Sequence, residues 1–168
     1  MALQRIPIED LQFNPFTLIN KEWMLITAGD KTAHNTMTAS WGGLGEVWGH
    51  YVSTVYVRPQ RHTFGFVDQN DCYSLCFFDE TYRSALNFCG AKSGRDYDKP
   101  KECGLSPNFE LAAPYYEEAK MVFICRKLYH DVMRQESFLD TSLVDSCYPG
   151  KDFHHVFVGG ITEVLVNK

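Results

Sequence analysis

Two segments of this 168-residue chain, separated by one predicted strand, constrain its fold and its ligand more than any other feature. The first, residues 35–43, is small, hydroxylated and uncharged. The second, residues 57–63, places two arginines and a threonine close together. Arginine and short hydroxyl side chains suit a phosphate group. Because small residues let a flat ring approach the backbone, the two segments predict a ligand that carries a ring at one end and a phosphate at the other.

The composition indicates one domain, which we take as residues 1–168, with a hydrophobic core of its own. The net charge of −5 argues against non-specific nucleic-acid binding. No segment approaches the roughly 20 apolar residues of a membrane span, and the first ten residues lack the apolar core of a signal peptide. We therefore expect a cytoplasmic protein that binds neither nucleic acid nor a membrane.

The chain has six cysteines and no C-x-x-C pair. Cys72 and Cys76 lie at even spacing in a predicted strand, which places both on one face. We interpret the cysteines as reduced and mostly buried thiols, and expect no metal site. A metal-binding or redox-active cysteine is the alternative.

Runs of β-branched and aromatic residues predict strands over residues 18–28, 36–41, 51–57, 72–78, 120–128 and 154–166. The first two strands are expected to stop at Gly29-Asp30 and at Gly42-Gly43, and the last to bend at Gly159-Gly160. Short helices are predicted over residues 62–70 and 81–90. Because helices and strands do not alternate regularly, the pattern favours a mainly β fold, a closed antiparallel barrel with α insertions.

The predicted strand at residues 36–41 alternates polar and apolar residues. One face would carry Thr36, Thr38 and Ser40, and the other Met37, Ala39 and Trp41. The hydroxyl face is either a row of donors for the edge of a ring or the solvent side of an edge strand.

Three further sets of residues are candidates for a site. Arg58, Arg61 and Thr63 precede or begin a predicted helix, whose free amides favour a phosphate; two solvated arginines are the alternative. The segment at residues 93–99 mixes both charges, and there Ser93, Gly94 and Lys99 either approach a phosphate or belong to a solvated loop. One residue of the His154-His155 pair should face inward, either as a structural side chain or as a proton donor or substrate contact.

Flavin mononucleotide (FMN) has the predicted ring and phosphate. The motifs resemble the FMN-binding split-barrel proteins of the flavin reductase-like family, specifically the flavoredoxin-type branch. The matching segments are residues 35–41 (NTMTASW), 57–61 (VRPQR) with Thr63, 75–80 (LCFFDE), 93–96 (SGRD) with Lys99, 117–120 (EEAK), and His154 with Gly159. Gly160 departs from the pattern, because members often carry glutamate there.

The resemblance implies an antiparallel Greek-key split barrel that forms a homodimer, with FMN at or near the subunit interface. It places the isoalloxazine ring along Asn35, Thr36, Met37, Thr38, Ala39, Ser40 and Trp41. It places the ribityl phosphate at Arg58, Arg61 and Thr63, with Ser93 and Lys99 as further donors, and it counts Val57 among the cofactor-binding residues. Trp41 and His154 would lie at the open face and are the candidate catalytic residues.

Two functions compete. The first is a flavin reductase that oxidises NADH or NADPH through FMN, and the second is a non-enzymatic FMN electron carrier that serves a protein redox partner. An oxidase of the pyridoxamine-phosphate type fits the motifs less well, and a flavin-storage or sensing module without turnover is a fourth alternative. Because the flavin performs the redox chemistry, no catalytic dyad needs to stand out in the sequence.

Overall fold

The computed structural model describes residues 3–167. Its strands are β1 (Leu3–Arg5), β2 (Met24–Gly29), β3 (His34–Ala39), β4 (Gly42–Val47), β5 (His50–Val57), β6 (Cys72–Phe77), β7 (Pro107–Asn108), β8 (Tyr115–Tyr116), β9 (Met121–Val132) and β10 (His155–Asn167). Its α-helices are α1 (Pro15–Thr17), α2 (His62–Gln69), α3 (Arg83–Ala91), α4 (Lys99–Glu102) and α5 (Ser142–Cys147). Within residues 3–167, no helix has the length and apolar character needed to cross a membrane.

One antiparallel sheet organises the fold. Seven of its strands follow the order β3-β2-β6-β9-β10-β5-β4, and β1 pairs with β10. The two edge strands, β3 and β4, are consecutive in the chain and are joined by only Ser40 and Trp41. The two edge strands of the sheet are therefore close at this link, but they do not pair with each other in the described residues. The mainly β fold is confirmed, and the barrel is split between β3 and β4 rather than closed.

The central strands of the sheet are buried on both faces. Alternate residues of β2 show this, because Ile26 belongs to a cluster inside the barrel with Phe77, Phe123 and Phe157. Leu25 points the other way, into a second cluster that includes α3 and the segment around β8. The central strands therefore carry apolar residues on both faces. Such continuous apolar runs made these strands predictable from the sequence.

The predicted helices are confirmed with small changes of boundary. The helix expected at residues 62–70 is α2, and that expected at 81–90 is a 3₁₀ turn (Glu80–Tyr82) followed by α3. The strand expected at 120–128 continues to Val132. The last strand bends as expected, since its pairing with β9 shifts register between Val158 and Gly159 and again between Ile161 and Glu163.

The prediction of a strand from residue 18 was wrong, because Leu18–Glu22 form a π-helical turn and β2 begins only at Met24. The Asn14 side chain accepts hydrogen bonds from the amides of Phe16 and Thr17, and starts this helical segment. A helix start of Asn followed by Pro is visible in the sequence. The apolar residues that follow it show no clear periodicity, so the sequence does not distinguish a helical turn from a strand there.

The prediction that Gly42-Gly43 stops a strand was also wrong. β3 ends earlier, at Ala39, and the two glycines begin β4, which pairs with β5. A Cβ on Gly42 would lie 2.9 Å from the Thr54 carbonyl oxygen, so this glycine permits close approach of the two strands.

Gly159 allows β10 to pass directly over a buried tyrosine. A Cβ at this position would lie 2.4 Å from Oη and 2.8 Å from Cζ of Tyr73. Tyr73 is fully buried and shares a 2.7 Å hydrogen bond with the Ser53 hydroxyl. The ring cannot move aside without breaking this bond.

We therefore expect Gly159→Ala to lower the free energy of unfolding by about 1–3 kcal/mol, the usual cost of overpacking a core. Gly160→Ala is the matched control, because its Cβ would meet the Leu128 side chain at 3.1 Å, and that side chain is half-exposed. Urea unfolding of both variants measures the difference. Equal losses would show that contact with Tyr73 does not set the requirement for glycine.

Candidate functional site

A groove follows the link between β3 and β4. Its first part, of about 220 Å³, is lined by Met37, Thr38, Ala39, Ser40, Trp41, Tyr56, Arg58, Arg61 and His154. A second part, of about 150 Å³, is lined by Gln60, Arg61, His62, Thr63, Ala91, Lys92, Ser93, Gly94, Arg95 and Lys99. Because Arg61 lines both parts, we call them together the Arg61 groove, with a strand end and a cationic end.

Arg61 is partly buried and has an unused donor. Its Nη1 donates to the Gly90 carbonyl oxygen at 2.9 Å. Its Nη2 is buried and finds no acceptor anywhere in residues 3–167. Burial also lowers the pKa of the guanidinium. Leaving such a donor unpaired costs about 1–3 kcal/mol, and an anion in the groove would recover that cost.

Thr63 is held ready to donate as well. The Asn35 side chain donates to the Thr63 hydroxyl at 2.7 Å, which leaves the hydroxyl proton without a recorded acceptor among the described residues. Thr63 lies in the first turn of α2, which has no side-chain cap. A hydroxyl and free amides at the start of a helix are suited to a phosphate.

Gly94 allows the loop after α3 to approach β3. A Cβ at this position would lie 1.9 Å from the Asn35 side-chain oxygen. Asn35 therefore contacts both Thr63 and Gly94, and it positions the cationic end rather than lining it. The sequence motif identified Asn35 but not this role.

The cationic end is lined by four cationic residues and no carboxylate, and Lys99 is the most buried of them, with 2 % of its surface exposed. Lys99 Nζ donates to the carbonyl oxygens of Cys89 at 3.0 Å and Lys92 at 3.2 Å, so one proton remains available. Burial lowers the pKa of Lys99 to about 8. Ser93 also lines this end, and its hydroxyl accepts from the Arg95 amide. The donor set fits a phosphate group.

Arg58 lies at the strand end and its charge is already matched. It forms an ion pair with Asp152, donates to the Cys147 carbonyl oxygen at 2.8 Å, and lies 5.1 Å from the centre of the Tyr148 ring. The expectation that Arg58 holds the phosphate is not supported by this position. Asp152 itself was missed, since it is 94 residues away in sequence.

The predicted hydroxyl face of β3 is divided, because Thr38 and Ser40 line the groove and Thr36 does not. Thr36 is fully buried, and its hydroxyl bonds the Thr27 hydroxyl at 2.9 Å. The Thr38 hydroxyl donates to the Leu86 carbonyl oxygen in α3. The Thr36 hydroxyl is therefore not available to a ligand, whereas a contact of Thr38 and Ser40 with the ring stays a prediction. Thr38 still lines the groove.

The remaining residues of the motif divide between core and groove. Met37 and Ala39 belong to the core cluster and also line the strand end, whereas Ser40 and Trp41 form the link. Val57 is fully buried in the same cluster and lies outside the described lining of both ends. It positions the following arginines instead.

Trp41 and His154 meet at the strand end, where the sequence placed them together. Their ring centres are 5.3 Å apart, and Trp41 is 47 % exposed. His154 Nδ1 lies 2.7 Å from the Tyr148 hydroxyl. Burial, and then the positive charge of Arg58, lower the pKa of His154 to about 4, so the ring is neutral at pH 7.

An apolar cavity of about 700 Å³ adjoins the strand end and shares Ser40, Trp41 and Tyr56 with it. Its other walls come from the helical segment at Pro15–Asn20 and from residues 133–148. The lining side chains there include Phe16, Ile19, Met133, Phe138, Leu143 and Tyr148. The sequence analysis left residues 136–150 as a loop or short helix and missed this cavity.

The cysteines are free thiols. Cys72 and Cys76 pack on the same cluster, as predicted from their spacing. Cys89 and Cys103 are 3.8 Å apart between their sulfurs, a proximity that their sequence spacing did not reveal. Burial raises the pKa of Cys89 to about 12, which keeps that thiol protonated. Among residues 3–167 no group of three potential metal ligands occurs.

The family model for the flavin reductase like domain matches residues 17–168. The chain belongs to the flavin reductase-like family. The resemblance inferred from the motifs is thereby confirmed, and the split barrel is the fold expected of this family. No curated protein matches the chain.

Solved structures of flavin reductase-like proteins share the fold at low sequence identity. An FMN-binding domain of a flavin reductase-like enzyme from Shewanella baltica superposes with a TM-score of 0.69 at 14 % identity, over 98 % of this chain and 76 % of that one. Flavoredoxin from Desulfovibrio vulgaris gives 0.67 at 18 % identity, with the same coverage. The styrene monooxygenase flavin reductase from Pseudomonas putida gives 0.64 at 11 % identity, over 88 % and 80 %.

Proposed function

We propose that this flavin reductase-like protein binds FMN in the Arg61 groove and acts as a flavin reductase-type oxidoreductase. The observation that carries the proposal is the unpaired Nη2 of Arg61 at the junction of the two ends. A buried cationic donor without an acceptor, beside further cations and free amides, favours a phosphate ligand. The Shewanella baltica relative, named as an FMN-binding domain, supports the choice of this ligand.

The two ends of the groove would hold the two ends of FMN. At the cationic end, Arg61, the Thr63 hydroxyl and Lys99 would bind the phosphate, with Ser93 beside them. At the strand end, the segment from Met37 to Trp41 would line the ring. Asn35 would orient Thr63, and Arg58 would remain paired with Asp152 beside the ring rather than at the phosphate.

When bound, FMN supplies a ring that accepts a hydride and passes electrons on. The protein then has to position the ring and to shape the approach of the reactants. Trp41 lines both the groove and the apolar cavity, so its ring would orient a reactant that approaches from that side. His154 is neutral at pH 7 and offers a hydrogen bond without adding charge.

We propose NADH or NADPH as the electron donor, in a cytoplasmic setting. The 700 Å³ cavity beside the strand end supports a reaction with a second small molecule, because its size is that of a typical ligand pocket. The similarity to flavoredoxins supports the alternative, an FMN electron carrier with a protein redox partner.

We also propose a homodimer. Large apolar side chains are exposed around the mouth of the apolar cavity, with Phe16 82 % and Leu143 46 % exposed beside Trp41. A second copy of the chain would cover this apolar surface and place FMN near the interface.

Arg61→Ala should weaken FMN binding by about one to two orders of magnitude, because a hydrogen bond to a charged group contributes about 1.5–3 kcal/mol. Riboflavin has no phosphate, so its affinity should change less than about twofold. Fluorescence titration measures both ligands. Arg58→Ala is the matched control, because we expect it to change both affinities by a similar factor. Equal losses of FMN and riboflavin on Arg61→Ala would contradict the proposed phosphate position.

The FMN-loaded protein should lose its flavin absorbance near about 450 nm when NADH or NADPH is added without air. Trp41→Ala should slow this reduction while leaving FMN affinity nearly unchanged, if Trp41 shapes the approach of the donor. Stopped-flow absorbance gives the rate. Stable FMN binding without reduction by either nucleotide would favour the electron-carrier function instead.

Light scattering at micromolar concentration should give twice the mass of one chain. Leu143→Glu should shift the protein toward the monomer, because a carboxylate would be buried in the proposed interface. Leu139→Glu is a control, since Leu139 is fully exposed and lies outside the described cavity lining. A monomer mass for the FMN-loaded wild type would contradict the dimer.

A further inference from the structure

We propose that Tyr148 is a positioning residue that fixes His154 in the tautomer with its proton on Nε2. His154 then presents a permanent N–H donor to the strand end of the Arg61 groove. The tautomer itself follows from the protein's own contacts, and only the identity of the bound acceptor rests on the proposed function.

Tyr148 is held firmly enough to direct its hydroxyl. It follows α5, is buried, and packs between the rings of Phe138 at 5.7 Å and Phe153 at 4.9 Å. Its ring meets that of His154 nearly at a right angle, 81°, with 5.5 Å between centres. The hydroxyl oxygen therefore reaches Nδ1 at 2.7 Å.

The direction of this hydrogen bond follows from the acceptors available. The Tyr148 hydroxyl has one proton and two neighbours, His154 Nδ1 at 2.7 Å and Met133 Sδ at 3.5 Å. A thioether sulfur is a weak acceptor, whereas an unprotonated imidazole nitrogen is a strong one. The tyrosine therefore donates to Nδ1. Because a neutral imidazole carries a single proton, that proton lies on Nε2.

The charged groups around His154 keep the ring neutral. Arg58 and Asp152 approach from the end of β5 and from the segment before β10, and they form an ion pair with each other. The Asp152 carboxylate favours an imidazolium and raises the pKa of His154, but burial of the ring and the guanidinium of Arg58 lower it by more. The other aromatic rings that contact His154 are those of Trp41 and Tyr56.

Nε2 is the nitrogen left for a ligand. Nδ1 is occupied by Tyr148, and Nε2 makes no hydrogen bond to any residue in the described range 3–167. His154 lines the strand end beside Met37–Trp41. A fixed N–H at this place suits a hydrogen-bond acceptor on the edge of a planar ring, and above all one that gains negative charge on reduction.

The tautomer can be measured in the protein without FMN by ¹⁵N NMR of the histidine side chains between pH 6 and 8. The wild type should show His154 with its proton on Nε2. Tyr148→Phe keeps the aromatic ring over Arg58 and removes the donor, so the ratio of the two tautomers should fall by about two- to tenfold. Met133→Leu removes the competing acceptor and should leave the tautomer unchanged.

A wild-type proton on Nδ1, a charged ring at pH 7, or an unchanged tautomer in Tyr148→Phe would each overturn the proposal. A change in Met133→Leu would also overturn it, because the hydroxyl would then be donating to sulfur.

In the FMN-loaded protein, Tyr148→Phe and His154→Gln should slow reduction by similar factors, and the double variant should be no slower than either. Failure of FMN to bind would contradict the proposed function, while the NMR result would stand on its own.

Discussion

The hydrogen bond between Asn35 and Thr63 brings the cationic end of the groove together. It joins the edge strand β3 to the first turn of α2, across 28 residues of sequence. The same side chain sets how closely the loop at Gly94 can approach. This contact fixes the hydroxyl of Thr63 against β3, while the bonds of Arg61 to Gly90 and of Arg95 to Gln60 tie the segment before α2 to the end of α3 and the following loop. The bond between Asn35 and Thr63 is buried, so it is strong where water cannot compete.

The charge at the groove is arranged in two ways. Arg58 is neutralised by Asp152 beside Tyr148 and His154, whereas the partly buried Arg61 and the buried Lys99 direct donors to carbonyl oxygens. Carbonyl partners satisfy hydrogen bonds and leave positive charge uncompensated. An anion is therefore favoured at the cationic end, and an uncharged polar ring edge at the strand end. Arg58 and Arg61, which look equivalent in the sequence motif, therefore differ in whether a carboxylate neutralises them.

Much of the fold was predictable because both faces of its central strands are apolar and the helices follow clear turn residues. The helical turn at Leu18–Glu22 was not, because its apolar run has no periodicity of its own. The motif led to the region of the candidate site, but it could not show that the hydroxyls of Thr36 and Thr38 pair with Thr27 and with the Leu86 carbonyl oxygen of α3. Tyr148 and Asp152 belong to the segment between β9 and β10, which folds back to the groove. A single sequence gives no signal for contacts between residues so far apart in the chain.

The central claim is that the Arg61 groove holds a phosphorylated ring with its phosphate at the cationic end. A crystal structure of the protein with FMN tests it most directly. We predict phosphate oxygens within hydrogen-bond distance of Arg61 Nη2 and the Thr63 hydroxyl, and the ring beside residues 37–41. A phosphate bound at Arg58, or FMN bound outside the groove, would contradict the account.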